Sequence, residues 1–396
     1  MHVVLLSHEY PPFIFGGVGS FVKTLAYGLQ SHGTKVTVVS GYPVPNTSGH
    51  RIVVDQEENG IDVLRFPYLN IPPRHTMFQL LNFKRLYNVI KKIGADVIHG
   101  QSGITFPAIL NLQNIAPVVV TFHTNVKMLK SLTAHSLFKG GSIGDFFTYM
   151  IGYPAWIYTY KNEFMRADVA VAVSRTLMKE MIRDFGEKDG DEFFYIPNGI
   201  DVKKLQREYP RVSSNVEEKE PTIIFGGRLY WTKGVLHLIK LAYLLRRKHN
   251  FDWKMIIYGA GPLATQLKKR LSDYGLDNVI VRDLVDTDEF ISAMRKATFV
   301  VLPSLYEACP MLLIESMCLG KIPVMFNLPY ALEFTDNGKY GVVANSITDM
   351  ATKIEAIYMN ADMVQLGNGI RDFARTKYDV LNVASKYIDI YKRVAN

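Results

Sequence analysis

Short apolar runs rich in β-branched residues recur along the chain, and between them lie longer stretches whose apolar residues fall three and four apart. The runs predict buried strands and the stretches predict amphipathic helices. In the first half, strands are expected at His2–Ser7, Lys35–Ser40, Ile61–Phe66, Asp96–His99, Pro117–Phe122 and Asp168–Ser174. A helix is expected from about Val18 to Gln30, stopped near Gly33, because glycine readily takes the left-handed conformation past a helix C-terminus. Another is expected over Phe78–Ile93. Apolar strands alternating with helices predict a parallel sheet covered on both faces.

The alternation then breaks. Lys203–Glu220 is polar, with Pro210, Ser213–Ser214, Glu217, Glu218 and Glu220, and reads as a linker and its flank. A second alternation follows, with strands at Thr222–Gly227, Trp253–Gly259, Asn278–Arg282, Thr298–Leu302, Pro323–Phe326 and Gly341–Val343, and helices such as Gly234–His249 and Met311–Leu319. The expected fold class is α/β, with one Rossmann-like domain over 1–203 and a second over 204–376. In open α/β sheets ligands bind at the carboxyl ends of the strands. Two such domains facing each other would put the site in the cleft between them.

Composition supports this picture. The 396 residues are 48% hydrophobic and 21% charged, which excludes a disordered chain and suffices for two separate cores. The two cysteines, Cys309 and Cys318, exclude a disulfide framework and a cysteine-based zinc site, and fit a reducing compartment. No apolar run approaches the roughly 18 residues of a membrane span. His2–Leu6 runs straight into His8, Glu9 and Pro11–Pro12, unlike a signal peptide. A cytoplasmic protein, free or attached to a membrane from one side, is expected. The net charge of +8 is unevenly spread: between Val63 and Gly144 stand nine bases (Arg65, Arg74, Lys84, Arg85, Lys91, Lys92, Lys127, Lys130 and Lys139) and one acid, Asp96, which is the whole excess. Such a face suits an anionic partner: phospholipid, a lipid phosphate or nucleic acid.

Several residues at the expected strand ends could carry chemistry. Gly16-Gly17-Val18-Gly19 opens the first helix, where backbone N–H groups attract phosphate, although a plain flexible turn would look the same. Arg228 and Lys233 flank a turn into a helix, and two fixed cations there suit a diphosphate. Glu307 and Glu315 are separated by seven residues. Glu307 lies in a loop after a strand, and Pro310 suits the first helical position. Glu315 then falls inside a helix that is apolar nearly all round. A carboxylate there requires donors, either the hydroxyls of a ribose or a neighbouring base. His123 closes the strand Pro117–Phe122, as a ligand-facing or a structural histidine. Tyr258-Gly259-Ala260-Gly261-Pro262 is a strand-end loop suited to close packing of a nucleotide base.

Together and in this order, these residues resemble the retaining family 4 glycosyltransferases of the GT-B fold, the group of glycogen synthases and many lipid-glycan glycosyltransferases. Ala170-Val171-Ala172-Val173-Ser174, Ile196-Pro197-Asn198-Gly199-Ile200-Asp201 and Gly320-Lys321-Ile322-Pro323-Val324 extend the resemblance over nearly the whole chain. It implies a nucleoside-diphosphate sugar as donor, with Arg228 and Lys233 on the diphosphate, Glu315 on the ribose and Glu307 on the transferred sugar. It places His123 beside sugar and acceptor, and Gly16, Gly17 and Gly259 close to the nucleotide. It also implies a last helix, Leu381–Val394, that returns to the first domain, so that about 377–396 belongs with 1–203. No cofactor and no metal are expected: the acid-x-acid triplet Asp286-Thr287-Asp288 precedes a helix and reads as a cap, and Asp189-Gly190-Asp191 is the other triplet.

Two positions depart from the family pattern. Ala308 stands where a glycine is usual. Phe15 stands where glycogen synthases carry lysine, which argues against a glucan-elongating enzyme. The acceptor is expected on the first domain, as a glycan or a lipid-linked molecule, with an anionic membrane surface met through 74–92 and 126–139. A soluble glycogen or polyglucan synthase is the alternative. A non-enzymatic nucleic-acid-binding protein is a second alternative, although no motif or stacking platform for nucleic acid is evident, and no nucleic-acid partner is expected.

Overall fold

The computed structural model describes residues 1–14, 16–46, 51–56, 60–71, 74–103, 109–136, 143–188, 192–208, 220–248 and 252–395. Phe15, Lys139, the Asp189-Gly190-Asp191 triplet and residues 209–219 of the expected linker lie outside them.

The chain forms two compact units. One comprises Met1–Lys130, Phe147–Asp201 and Tyr378–Asn396, and the other Ser131–Phe146 and Val202–Lys377. Residues 131–146 thus cluster with the second unit, whereas the sequence reading ran the first domain unbroken to 203. At the start of the stretch read as a linker and its flank, Val202–Glu208 is a helix, with Val202 and Leu205 buried.

The first unit holds an eight-stranded sheet. Its strands are β1 (His2–Leu6), β2 (Lys35–Val44), β3 (Val53–Gln56), β4 (Asp62–Leu69), β5 (Val97–Gln101), β6 (Val118–Phe122), β7 (Val169–Ala172) and β8 (Phe193–Tyr195). They lie in the order β3-β4-β2-β1-β5-β6-β7-β8. All neighbours are parallel except β3, which runs antiparallel to β4. β1 and β5 are buried on both faces, as a covered parallel sheet requires.

The helix Gly17–Ser31 and the chain's last helix, Val380–Ala395, pack together on this sheet. Gly28 permits the approach, since a Cβ there would come within 2.8 Å of Val380 Cγ2. Phe21, Leu25 and Leu29 meet Val383, Tyr387 and Tyr391 in one core. A polar column runs through it. Tyr391 OH lies 2.6 Å from His99 Nδ1, His99 Nε2 lies 2.7 Å from Thr121 Oγ1, and Tyr387 OH lies 3.0 Å from the same Oγ1. The last helix is therefore hydrogen-bonded to β5 and β6 as well as packed on them.

The second unit holds a parallel six-stranded sheet of β9 (Thr222–Gly226), β10 (Lys254–Tyr258), β11 (Val279–Arg282), β12 (Phe299–Leu302), β13 (Ile322–Phe326) and β14 (Val342–Ala344). The order is β11-β10-β9-β12-β13-β14. In both sheets the strand order reverses beside the unit's first strand, between β1 and β5 and between β9 and β12. Loops diverge there and leave a crevice beyond the carboxyl ends.

Candidate active site

In the second unit, the loops after β9, β10 and β12 are laced by their backbones. Gly227 N–H donates to Tyr258 O at 3.0 Å, Leu229 N–H to Ala260 O at 2.9 Å, and Leu305 N–H to Thr232 O at 2.9 Å. Two glycines make this closeness possible. Gly234 has φ +65°, and a Cβ there would overlap the Pro303 carbonyl oxygen. Gly259 has φ +155°, and a Cβ there would overlap the Gly227 carbonyl oxygen. Both backbones need the positive φ that only glycine adopts freely. Gly259 serves in this way to hold its loop on the neighbouring one.

This lacing fixes the charged groups. Lys233 ends a single turn of 3-10 helix, Trp231–Lys233. Its Nζ donates to Glu307 Oε1 at 2.5 Å, and Ser304 Oγ–H donates to the same oxygen at 2.8 Å. Arg228 is exposed, with its guanidinium beside the Tyr230 ring, and among the described residues no acid pairs with it. One cation is thus held in place and the other is open.

Glu315 lies in the helix Met311–Cys318, which is buried on most sides; Pro310 caps this helix and does not begin it. Burial alone pushes the Glu315 carboxyl up to about 7. Among the described residues no side chain or N–H donates to it, so the neighbouring base that the sequence left open as its partner is not there. Sequence reasoning missed Tyr330, at the start of the helix Pro329–Phe334. Its hydroxyl is buried without a hydrogen-bond partner, and burial, with the charge of Glu307, raises the phenol well above its ordinary range.

The first unit brings His123 and Gly16 to the same end of its sheet, in a different manner. His123 Nε2 lies 2.7 Å from Gln101 Oε1, at the end of β5. The edge of the ring meets Phe21 at 5.0 Å between centroids. Burial drives the imidazole down to about 4, against an upward pull from Glu9, so it is neutral near pH 7. The Gly16 N–H is not open to a phosphate, since it donates to Glu9 Oε2 at 2.8 Å. Gly17 is exposed and begins the helix. Gln101 and Glu9 were missed from the sequence. Gln101 is a buried amide whose Nε2 has no partner, and it stands two residues past the point where the strand was expected to end.

The basic stretch of the first unit is less open than its composition suggests. Arg65 is buried, pairs with Asp55 at 2.5 Å and donates to Pro11 O at 2.6 Å, tying down the loop before Gly16. Lys127 lies 3.6 Å from Asp184. Lys84, Arg85, Lys91 and Lys92 remain exposed on the helix Arg74–Ile93. Asp286 is a cap, as expected, accepting from Glu289 N–H at 2.7 Å. Among the described residues no group of three His, Cys, Asp or Glu side chains could hold a metal ion. Nor among them is any helix long and apolar enough to cross a membrane.

Residues 15–204 match the family described as Glycosyltransferase Family 4, and residues 206–370 match Glycosyl transferases group 1. An uncharacterized glycosyltransferase of Methanocaldococcus jannaschii is 25% identical over 99% of this chain and 98% of its own length. A glycogen synthase of Mycobacterium tuberculosis is 24% identical over 99% and 94%. Among solved structures, sucrose-phosphate synthase from Thermosynechococcus elongatus superposes with a TM-score of 0.73 at 17% identity, over 99% of this chain and 98% of that one. The Anabaena protein HepE, in complex with UDP and glucose, gives 0.69 at 15% identity, over 99% and 100%. With one glycosyltransferase match over each half and related chains aligned from end to end, the chain belongs to the family 4 glycosyltransferases of the GT-B fold.

Proposed function

We propose that the chain is a retaining hexosyltransferase that takes its sugar from a nucleoside diphosphate and delivers it to a glycan or lipid-linked acceptor without a required metal. The observation that carries this reading is the arrangement in the second unit: an exposed Arg228 with no acid beside it among the described residues, a Lys233 held by Glu307, and a half-buried Glu315 to which none of the described residues donates. A nucleoside diphosphate supplies what each lacks. The ribose diol donates to Glu315, the diphosphate takes Arg228 and Lys233, and Glu307 turns to the hydroxyls of the sugar. HepE, solved with UDP and glucose, is a related fold with this class of ligand.

In the reaction, the bond from the anomeric carbon to the diphosphate oxygen breaks and its electron pair leaves with the diphosphate. Arg228 and Lys233 stabilise that charge, which is the service a divalent ion gives elsewhere. The acceptor oxygen bonds to the anomeric carbon on the face the diphosphate leaves, and its proton passes to the departing phosphate oxygen. Configuration is then retained with no protein nucleophile. His123, neutral and neighbouring Gln101, would hydrogen-bond a sugar hydroxyl. Phe15, where the resemblance expects lysine in a glucan-elongating enzyme, speaks against that activity, and the exposed bases of 74–92 would lie near an anionic membrane carrying the acceptor. Two free, buried cysteines are in keeping with a cytoplasmic enzyme.

Thermal-shift screening against nucleotide sugars tests the reading. A donor at 100 times its Kd raises stability by roughly 2.7 kcal/mol. Glu315→Ala is expected to abolish that shift. Turnover that survives both Arg228→Ala and Lys233→Ala would overturn the diphosphate assignment, and complete inactivation by a chelator would overturn metal independence. A second reading, polyglucan synthesis, is favoured by the 24% identical glycogen synthase. Incorporation of sugar into glycogen, with none into lipid, decides for it.

A further inference from the structure

The helix Ile143–Arg166 belongs mostly to the first unit and turns an unusual face to solvent. Phe147 is 55% exposed, Ile151 77%, Tyr158 60% and Met165 47%. At about 100° per residue these four, with Pro154 and Lys161, fall within about 40° of one line along the helix. The line from Phe147 to Met165 is ~27 Å long. A surface helix ordinarily presents charged residues there, yet this stripe carries one charge, and that is positive. Glu163 falls about 160° away around the helix and is buried.

Positive charge adjoins the stripe. Lys130, on the helix Val126–Ser136, places its Nζ 4.1 Å from the centroid of Tyr153. Arg166 ends the striped helix, with Asn162 as its side-chain partner. Asp184, whose charge reaches Tyr153, is paired with Lys127 and Arg183. Gly103 links the striped helix to the basic helix Arg74–Ile93: its N–H donates to Glu163 at 2.6 Å, and its carbonyl accepts from Gln79. The stripe is apolar, is bordered by cations and, from Phe147 to Met165, carries no acid on its own line, which complements a surface that is apolar within and anionic at its rim. A bilayer surface with anionic headgroups requires only apolar side chains at shallow depth and positive charge around them.

We propose that the solvent face of Ile143–Arg166 is a docking surface for an anionic lipid bilayer, with Phe147, Ile151, Tyr158 and Met165 entering the acyl boundary and Lys161 and Lys130 meeting the headgroups. This deepens the lipid-linked reading of the acceptor and rests on it for its purpose. It also adds an apolar helix to the basic ones as membrane contact.

Flotation of the full chain with vesicles of phosphatidylglycerol and phosphatidylcholine tests it, against vesicles of phosphatidylcholine alone. The wild type is expected to co-float with the anionic vesicles only. The combined Phe147→Ser, Ile151→Ser and Tyr158→Ser variant should partition roughly a hundredfold less. Its donor-induced thermal shift should be unchanged, which separates failure of the docking surface from failure of the enzymatic reading. A wild type that stays with the soluble fraction overturns the proposal, as does a variant that floats like the wild type. A vesicle-free dimer that the substitutions dissociate also overturns it, because the stripe would then be covered by a second copy.

Discussion

In the second unit, above β9 and β12, the candidate groups are charges held by glycine loops; in the first, above β5 and β6, they are a neutral imidazole and an amide paired with each other. Lys233, Glu307 and Ser304 meet at one carboxylate oxygen, while His123 and Gln101 share a single hydrogen bond. The contrast follows the work proposed for each unit. A leaving diphosphate needs cations already in position, because reorienting them during the reaction would forfeit much of their effect. A sugar hydroxyl needs a hydrogen-bonding group that does not itself attract anions, and an imidazole driven down to about 4 is one.

The largest break in this comparison should come from Arg228→Ala. Losing one preorganised charge-stabilising group costs about 2.7–4 kcal/mol of barrier, so kcat/KM should fall roughly a hundred- to a thousandfold. Substitution of Gln101 by Leu should act less, and differently. It leaves the His123 ring nitrogen without its partner at a cost of about 1–3 kcal/mol, seen as a lower thermal midpoint more than as a lower kcat.

The two units should also respond oppositely to pH. Glu315 has a folded value of about 7 against a model-compound value of 4.5. Its folded state holds the proton more tightly, so stability is greatest below 4.5 and is lost as pH rises to 7. The difference is about 3 kcal/mol. Glu315→Gln should therefore stabilise the free protein at pH 8, do little at pH 4, and impair nucleotide binding at both. His99 and His123 have folded values of about 3 and about 4 against 6.5. Their stability is present above 6.5 and is lost as pH falls toward 4, about 2 kcal/mol for each by pH 5. Hydrogen exchange at pH 5 and pH 8 should show the first unit loosening in acid and the second in base. Uniform loosening of both in acid would contradict this.

The smallest effect sharpens the reading of Asp286. As a cap its replacement by Ala costs about 1 kcal/mol of stability and leaves turnover intact with or without added divalent ions. A loss of turnover restored by such ions would make it a ligand instead.

Much of this was legible in the sequence, for a physical reason. Central parallel strands such as β1, β5, β9 and β12 are buried on both faces, so their apolar runs stand out. β3 escaped notice because it is an exposed edge strand, and β8 because it has three residues. Arg228, Lys233, Glu307 and Glu315 were visible because charged residues beside glycine loops and in apolar helices are conspicuous. Gln101, Glu9 and Tyr330 are ordinary residues made significant by what faces them across the fold. The charge reading erred in the same way: Asp55 and Asp184, which neutralise Arg65 and Lys127, lie outside the basic window and meet it only in three dimensions.

The polar column of Tyr391, His99, Thr121 and Tyr387 ties β5 and β6 to the chain's last helix. During synthesis that sheet must wait for residues 380–391: 292 positions separate His99 from Tyr391 and 266 separate Thr121 from Tyr387, roughly 13–60 s at ordinary elongation rates. Residues 202–377 need no such late arrival, so the half translated second is placed to finish folding first. A protease or a chaperone meeting the nascent polypeptide would find its oldest part the least protected.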